Sequence, residues 1–210
     1  MTKRARDLQE LRELHLERSA EIRRRLHDFS NVPKEEYFYE LIYCVLTPQS
    51  SAVNAGKAIR LMKLQDLFHT DTDPGPFLHQ KDFYIRFHKT KAKRILTIKE
   101  QFPVIERHLS NGTLSTELRE WLIKNVNGLG WKEASHFLRN IGHRNLAILD
   151  RHILKNLLRF GVIRSRPKTL TPKDYQSIEL KFKKFSEAVG IPIDELDLLF
   201  WCMETGEILK

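Results

Sequence analysis

Cysteine is nearly absent: the 210 residues hold only two, Cys44 and Cys202. Both lie inside apolar runs, so they read as small buried hydrophobes and not as a disulfide framework. Two thiols cannot supply the four thiolates of a typical iron–sulfur cluster, and no Cys/His spacing suggests structural zinc. A reducing, intracellular home is expected. Long apolar runs are missing too, and none approaches the roughly 20 residues that span a bilayer. The stretch Met1 to Arg25 is dense in Arg and Glu and lacks an apolar h-region, so it reads as neither signal peptide nor anchor. No alternating stretch bounded by hairpin turns occurs, and there is no internal repeat or low-complexity linker.

What is abundant is positive charge. Lys and Arg total 36 against 27 Asp and Glu, a net charge of +9. A basic surface steers and holds phosphates, which makes a polyanion a candidate partner; a merely solvated basic surface is the alternative. With 41% apolar residues the chain can bury a core without staples, as one domain or as two lobes.

Apolar spacing is helical nearly throughout, so the fold class is all-α. Tyr37 to Leu46 is apolar almost all round and reads as a central helix, ended by Thr47-Pro48. A further helix is predicted from Ser51 to about Met62, a loop over Asp71 to Pro76, and a basic helix over Lys89 to Gln101 with Arg94 and Lys99 outward. Thr171 and Pro172 start a helix that Gly190 stops; Pro192 starts another that Gly206 stops.

The most informative stretch is Glu117 to Gly142. Two amphipathic helices flank the turn Val126-Asn127-Gly128-Leu129-Gly130. Glycines on both sides of Leu129 allow positive φ and bare the backbone, so the N–H groups at the next helix start can face a phosphate. Leu129 would plug the hairpin core.

This stretch, continued through Trp131-Lys132 and followed by Leu149-Asp150-Arg151-His152, resembles the signature of the helix-hairpin-helix DNA glycosylase superfamily. Leu46-Thr47-Pro48-Gln49-Ser50-Ser51-Ala52, Arg86 to Ile95 and Trp201-Cys202-Met203 to Lys210 resemble its compact archaeal-type 8-oxoguanine glycosylase/lyases. The chain departs from the endonuclease III branch by lacking that branch's cysteine quartet. The resemblance implies two helical lobes: 32–145, which includes the hairpin at about 117–142, and 1–31 with 146–210. It places the hairpin beside an interlobe cleft.

It also implies base-excision repair of 8-oxoguanine in double-stranded DNA. In that chemistry Lys132 attacks the anomeric carbon as the base leaves, giving a Schiff base that then eliminates the 3′ phosphate. A lysine is a nucleophile only as its free amine, and the positive end of a helix dipole together with partial burial disfavours the ammonium. Asp150 caps a helix by its position; the resemblance adds that its carboxylate stabilises positive charge on the sugar. These roles are compatible.

A flipped base needs a flat apolar wall and a few hydrogen-bonding groups. Phe87 and Trp201 are walls by resemblance, though both also fit an ordinary core. Lys210 lines the base pocket by resemblance and otherwise reads as a frayed end. Gln49 fills the gap or contacts the orphaned base by resemblance, or is simply a polar turn residue. His88, Lys89, Lys91, Lys93 and Arg94 line a phosphate path or a solvated face. The chemistry calls for no metal or cofactor, although hairpin carbonyls in the superfamily can hold a monovalent cation. The protein is expected to be a cytoplasmic, nucleoid-associated monomer with no membrane contact and no obligate protein partner. Two alternatives stand: a glycosylase for another damaged base, and a non-catalytic hairpin module.

Overall fold

The computed structural model describes residues 3–208. It is 69% helical, with no strand among the described residues. Ten helices follow in order: α1 (Lys3–Ser30), α2 (Tyr37–Leu46), α3 (Ala52–Leu64), α4 (Gly75–Leu78), α5 (His88–Ser110), α6 (Ser115–Asn125), α7 (Trp131–Asn140), α8 (Arg151–Arg159), α9 (Pro172–Val189) and α10 (Ile193–Thr205). Among the described residues, no helix is long and apolar enough to cross a membrane.

The chain divides into two compact units, Val32–Phe137 and Met1–Asn31 with Leu138–Lys210. The second division falls inside α7, earlier than the 145/146 boundary drawn from the sequence. The reason is packing: the Arg139 guanidinium lies 4.7 Å from the Phe29 ring centroid, and Arg144 donates to Leu26 O and Ser30 Oγ. Residues after Phe137 are therefore committed to α1.

In the unit Val32–Phe137, α2 is the central helix that its all-round apolar sequence predicts. Every residue from Phe38 to Leu46 is buried. Phe38 packs on Phe68 and Phe102 with centroids 4.7 and 5.5 Å apart. Phe102, Ile95, Ile98 and Ile105 of α5 are buried, and that continuous stripe carries the helix through Pro103, beyond the expected stop at Gln101.

In the other unit, α1 runs through the charged start that the sequence reading left without structure. Its Ile22, Leu26 and Phe29 are buried at i, i+4 and i+7, and Leu11, also buried, lies about three turns earlier on the same face, a sparse stripe masked by Arg and Glu. Around Phe200 the rings of Phe160 and Phe182 stack at 5.5 and 5.7 Å. The Thr171 capping box and the left-handed Gly190 bound α9 as expected.

The stretch 146–149 is buried yet neither helical nor paired in a sheet, so side chains take its main-chain groups. Ala147 N donates to Glu179 Oε1 (2.8 Å), Ile148 N to Asp197 Oδ2 (3.3 Å) and Leu149 N to Tyr175 Oη (3.2 Å). Tyr175 Oη donates to Ala147 O at 2.6 Å. Tyr175→Phe strips partners from two buried main-chain groups and is expected to cost about 1–3 kcal/mol, measured by denaturant unfolding.

Candidate functional site

The hairpin of α6 and α7 forms as predicted, with Val126 and Leu129 buried beneath the turn. Its two glycines serve different needs. Gly128 has φ +100, and a Cβ there would meet Arg94 Cδ at 2.8 Å. Gly130 is not at positive φ; its N–H donates to Glu133 Oε2 at 3.2 Å, and a Cβ would stand 3.0 Å from that oxygen. Arg94 thus lies along the turn instead of pointing into solvent. It brings a guanidinium beside Gly128 in the turn that precedes α7, and a guanidinium near a helix start is suited to phosphate. Glu133, absent from the sequence reading, supplies an anion to one of those donors.

Lys132 stands in the first turn of α7 and is half-buried. Across the hairpin, the Arg119 guanidinium lies 4.7 Å from the Trp131 ring centroid, and Nη1 donates to Ser135 Oγ at 3.1 Å. These contacts fix the helix start that carries Lys132.

Gln49 and Phe87 share an unusual property: both are non-glycine residues at positive φ, +56 and +60. Gln49 is exposed in the turn after α2. Phe87 is the N-cap of α5 and 50% exposed, so the core reading of this ring does not hold. Arg86 covers it, with Cζ 4.9 Å from the centroid. His88 stacks on His79 at 4.9 Å, and its buried Nδ1 has no hydrogen-bond partner among the described residues. Lys89 and Lys93 are exposed.

Lys91 corrects the sequence reading. It is 2% exposed and donates to Leu46 O, Pro48 O and Ser50 Oγ at 2.7, 2.8 and 3.4 Å. It cannot also line a phosphate path. The spacing of a basic helix does not reveal that one lysine turns inward; the carbonyls ending α2 draw it there. Burial, then the Arg94 charge, push Lys91 down to about 8, while Glu133 acts the other way.

In the other unit, Asp150 is the N-cap of α8 as expected. Its Oδ1 accepts from His152 N (2.8 Å) and Ile153 N (2.9 Å), which fixes the carboxylate at the helix start. Trp201 meets His152 edge to face at 4.8 Å, which brings it to the same helix start. Its buried Nε1 has no partner among the described residues. Asp197, which the sequence reading passed over, is pushed up to about 7 by burial, with Arg139 opposing and the Asp150 and Asp194 charges adding to the rise. Lys210 lies outside the described residues.

Residues 22–191 match the family model for 8-oxoguanine DNA glycosylase. The chain belongs to the 8-oxoguanine DNA glycosylase family. The 8-oxoguanine DNA glycosylase/AP lyase of Fusobacterium nucleatum is 42% identical to this member over 214 residues, 96% of each chain. That of Korarchaeum cryptofilum is 39% identical over 190 residues, 90% of each. Among solved structures, the Thermotoga maritima 8-oxoguanine DNA glycosylase superposes with a TM-score of 0.86 at 30% identity, covering 99% of this chain and 100% of that one. The Methanocaldococcus jannaschii 8-oxoguanine glycosylase/lyase, solved with a 15mer DNA containing 8-oxoguanine, gives 0.84 at 34% identity and covers 97% and 99%. This chain's all-α architecture, the class that the sequence predicts, is the one that superposes on these glycosylase structures.

Two outcomes test this geometry. Gly128→Ala strains φ and displaces Arg94; it is expected to weaken binding to duplex DNA about tenfold, or ~1.4 kcal/mol, by titration at fixed salt. Lys91 loses its proton near pH 8 when folded but only near 10.5 when unfolded. Across that window the unfolded chain holds the extra proton, so the Lys91 contribution to stability rises with pH. The denaturant-midpoint gap between wild type and Lys91→Met is therefore expected to widen from pH 7 to pH 10.

Proposed function

We propose that the chain excises 8-oxoguanine from double-stranded DNA and then cleaves the strand at the resulting site. The observation that carries this reading is the half-buried Lys132 at the start of α7, directly after the Gly128–Gly130 turn, in a chain 34% identical to a protein solved on DNA containing that lesion.

Lys132 Nζ attacks C1′ as the bond from C1′ to the base breaks, and the electron pair of that bond leaves with 8-oxoguanine. Ring opening gives a Schiff base, and loss of a C2′ proton expels the 3′ phosphate by β-elimination. Asp150, acting as an anion fixed by two N–H donors, stabilises the positive charge that develops on the sugar.

Phe87 and Trp201 serve as walls for the flipped base, and Lys210 joins that pocket. Trp201 Nε1, which has no partner among the described residues, supports a ligand-facing role, because a buried donor without a partner is costly. Gln49 takes the place left by the flipped base. Gly128, Leu129 and Gly130 with Arg94 hold one phosphate, and His88 and Lys89 extend the phosphate path.

Among the turn's carbonyl oxygens, those of Val126 and Gly130 already accept from Leu129 N and Ala134 N. A monovalent cation would take the others, a donor set suited to a hard ion, and would only stiffen the turn. The working form is a monomer on nucleoid DNA in the cytoplasm.

Lys132→Gln tests the reading. Single-turnover excision of 8-oxoguanine is expected to fall at least about 10³-fold, while binding to the same duplex changes less than about threefold. Retained excision would leave a lysine-independent mechanism.

A further inference from the structure

Lys91 is the one fully buried basic residue of the expected phosphate path, and its contacts join two separate segments. Leu46 is the last residue of α2 and Pro48 precedes Gln49, so the ammonium binds the backbone on both sides of Thr47. Ser50, the residue after Gln49, gives its Oγ to the same ammonium. That oxygen also accepts from Arg86 N at 3.0 Å, and Arg86 covers the Phe87 ring. Asn54 Nδ2 ties the second segment again, donating to Tyr84 O at 3.3 Å.

Positive φ at a non-glycine residue persists only where the surroundings over-determine it. Of the four such residues among those described, Gln49, Asp66, Phe87 and Asn145, two flank this one cluster. Both are also residues assigned above to the flipped base and the gap it leaves.

We propose that Lys91 is a positioning residue for base recognition: by clamping Leu46, Pro48 and Ser50 it holds Gln49, and through Ser50 it locks Phe87 into the same rigid unit. The inference rests on the roles given to Gln49 and Phe87 under the proposed function. Its chemistry is that of a buried cation satisfied by carbonyl oxygens, which orders a loop as a helix C-cap does.

Lys91→Met keeps the stem and removes the donors, while Ser50→Ala removes only the joint. Hydrogen exchange reads the mechanical link directly. In Lys91→Met the amides of 47–50 and 84–88 are expected to speed up together by about tenfold or more, with α6 unchanged. Single-turnover kinetics at saturating enzyme read the function. Excision of 8-oxoguanine is expected to fall about 10²-fold, whereas cleavage at a preformed abasic site, which has no base to hold, falls less than about threefold.

Exchange that stays unchanged in either segment, or excision and abasic-site cleavage falling in equal proportion, overturns the proposal. Should Lys91→Met not fold, Ser50→Ala carries the same readouts, with faster exchange expected at 86–88. Phe87→Ala separates the two levels. Loss of excision in Phe87→Ala beside an unaffected Lys91→Met overturns the Lys91 inference alone. Full excision in Phe87→Ala overturns the base-wall assignment beneath it.

Discussion

Wherever this chain leaves a helix inside the protein, its peptide groups lose their helical partners and must find others, at about 1–3 kcal/mol for each left unmet. Two places carry that constraint. In one unit, Glu179, Asp197 and Tyr175 take the N–H groups of 147–149, and the segment so held delivers Asp150 to the start of α8. In the other, Lys91 takes the carbonyls of Leu46 and Pro48 and holds the turn that presents Gln49. Lys91, Glu179 and Asp197 are buried polar residues that let irregular backbone survive in the interior.

This use of buried polarity has an electrostatic consequence. A carboxylate placed for its hydrogen bond to a main-chain N–H stands close to other acids, and Asp197 is raised to about 7 by burial with Asp150 and Asp194 adding to it. Asp150 keeps two N–H donors on one oxygen, while Asp197 carries the strain of the acidic neighbourhood.

Much of the fold was legible in the sequence. Thr171, Pro172, Gly190 and Gly206 mark helix ends by local chemistry that tertiary context left intact. Helix α1 was not legible, since its buried residues are too widely spaced among Arg and Glu to stand out. Helix α5 runs through Pro103, past the expected end at Gln101, because its buried stripe continues. Within the site, the hairpin and the Asp150 cap followed from spacing. The direction of Lys91 did not, because the carbonyls that draw it inward come from residues more than forty positions away, a long-range pairing that no local pattern encodes.

The central claim is that Lys132 forms a covalent bond to the damaged nucleoside. Borohydride reduction of the protein on a duplex carrying one 8-oxoguanine, followed by mass mapping of the crosslinked peptide, tests it most directly. The account predicts an adduct on the peptide carrying Lys132, seen on damaged but not on undamaged DNA. An adduct on another lysine, or excision without any trapped species, would contradict it.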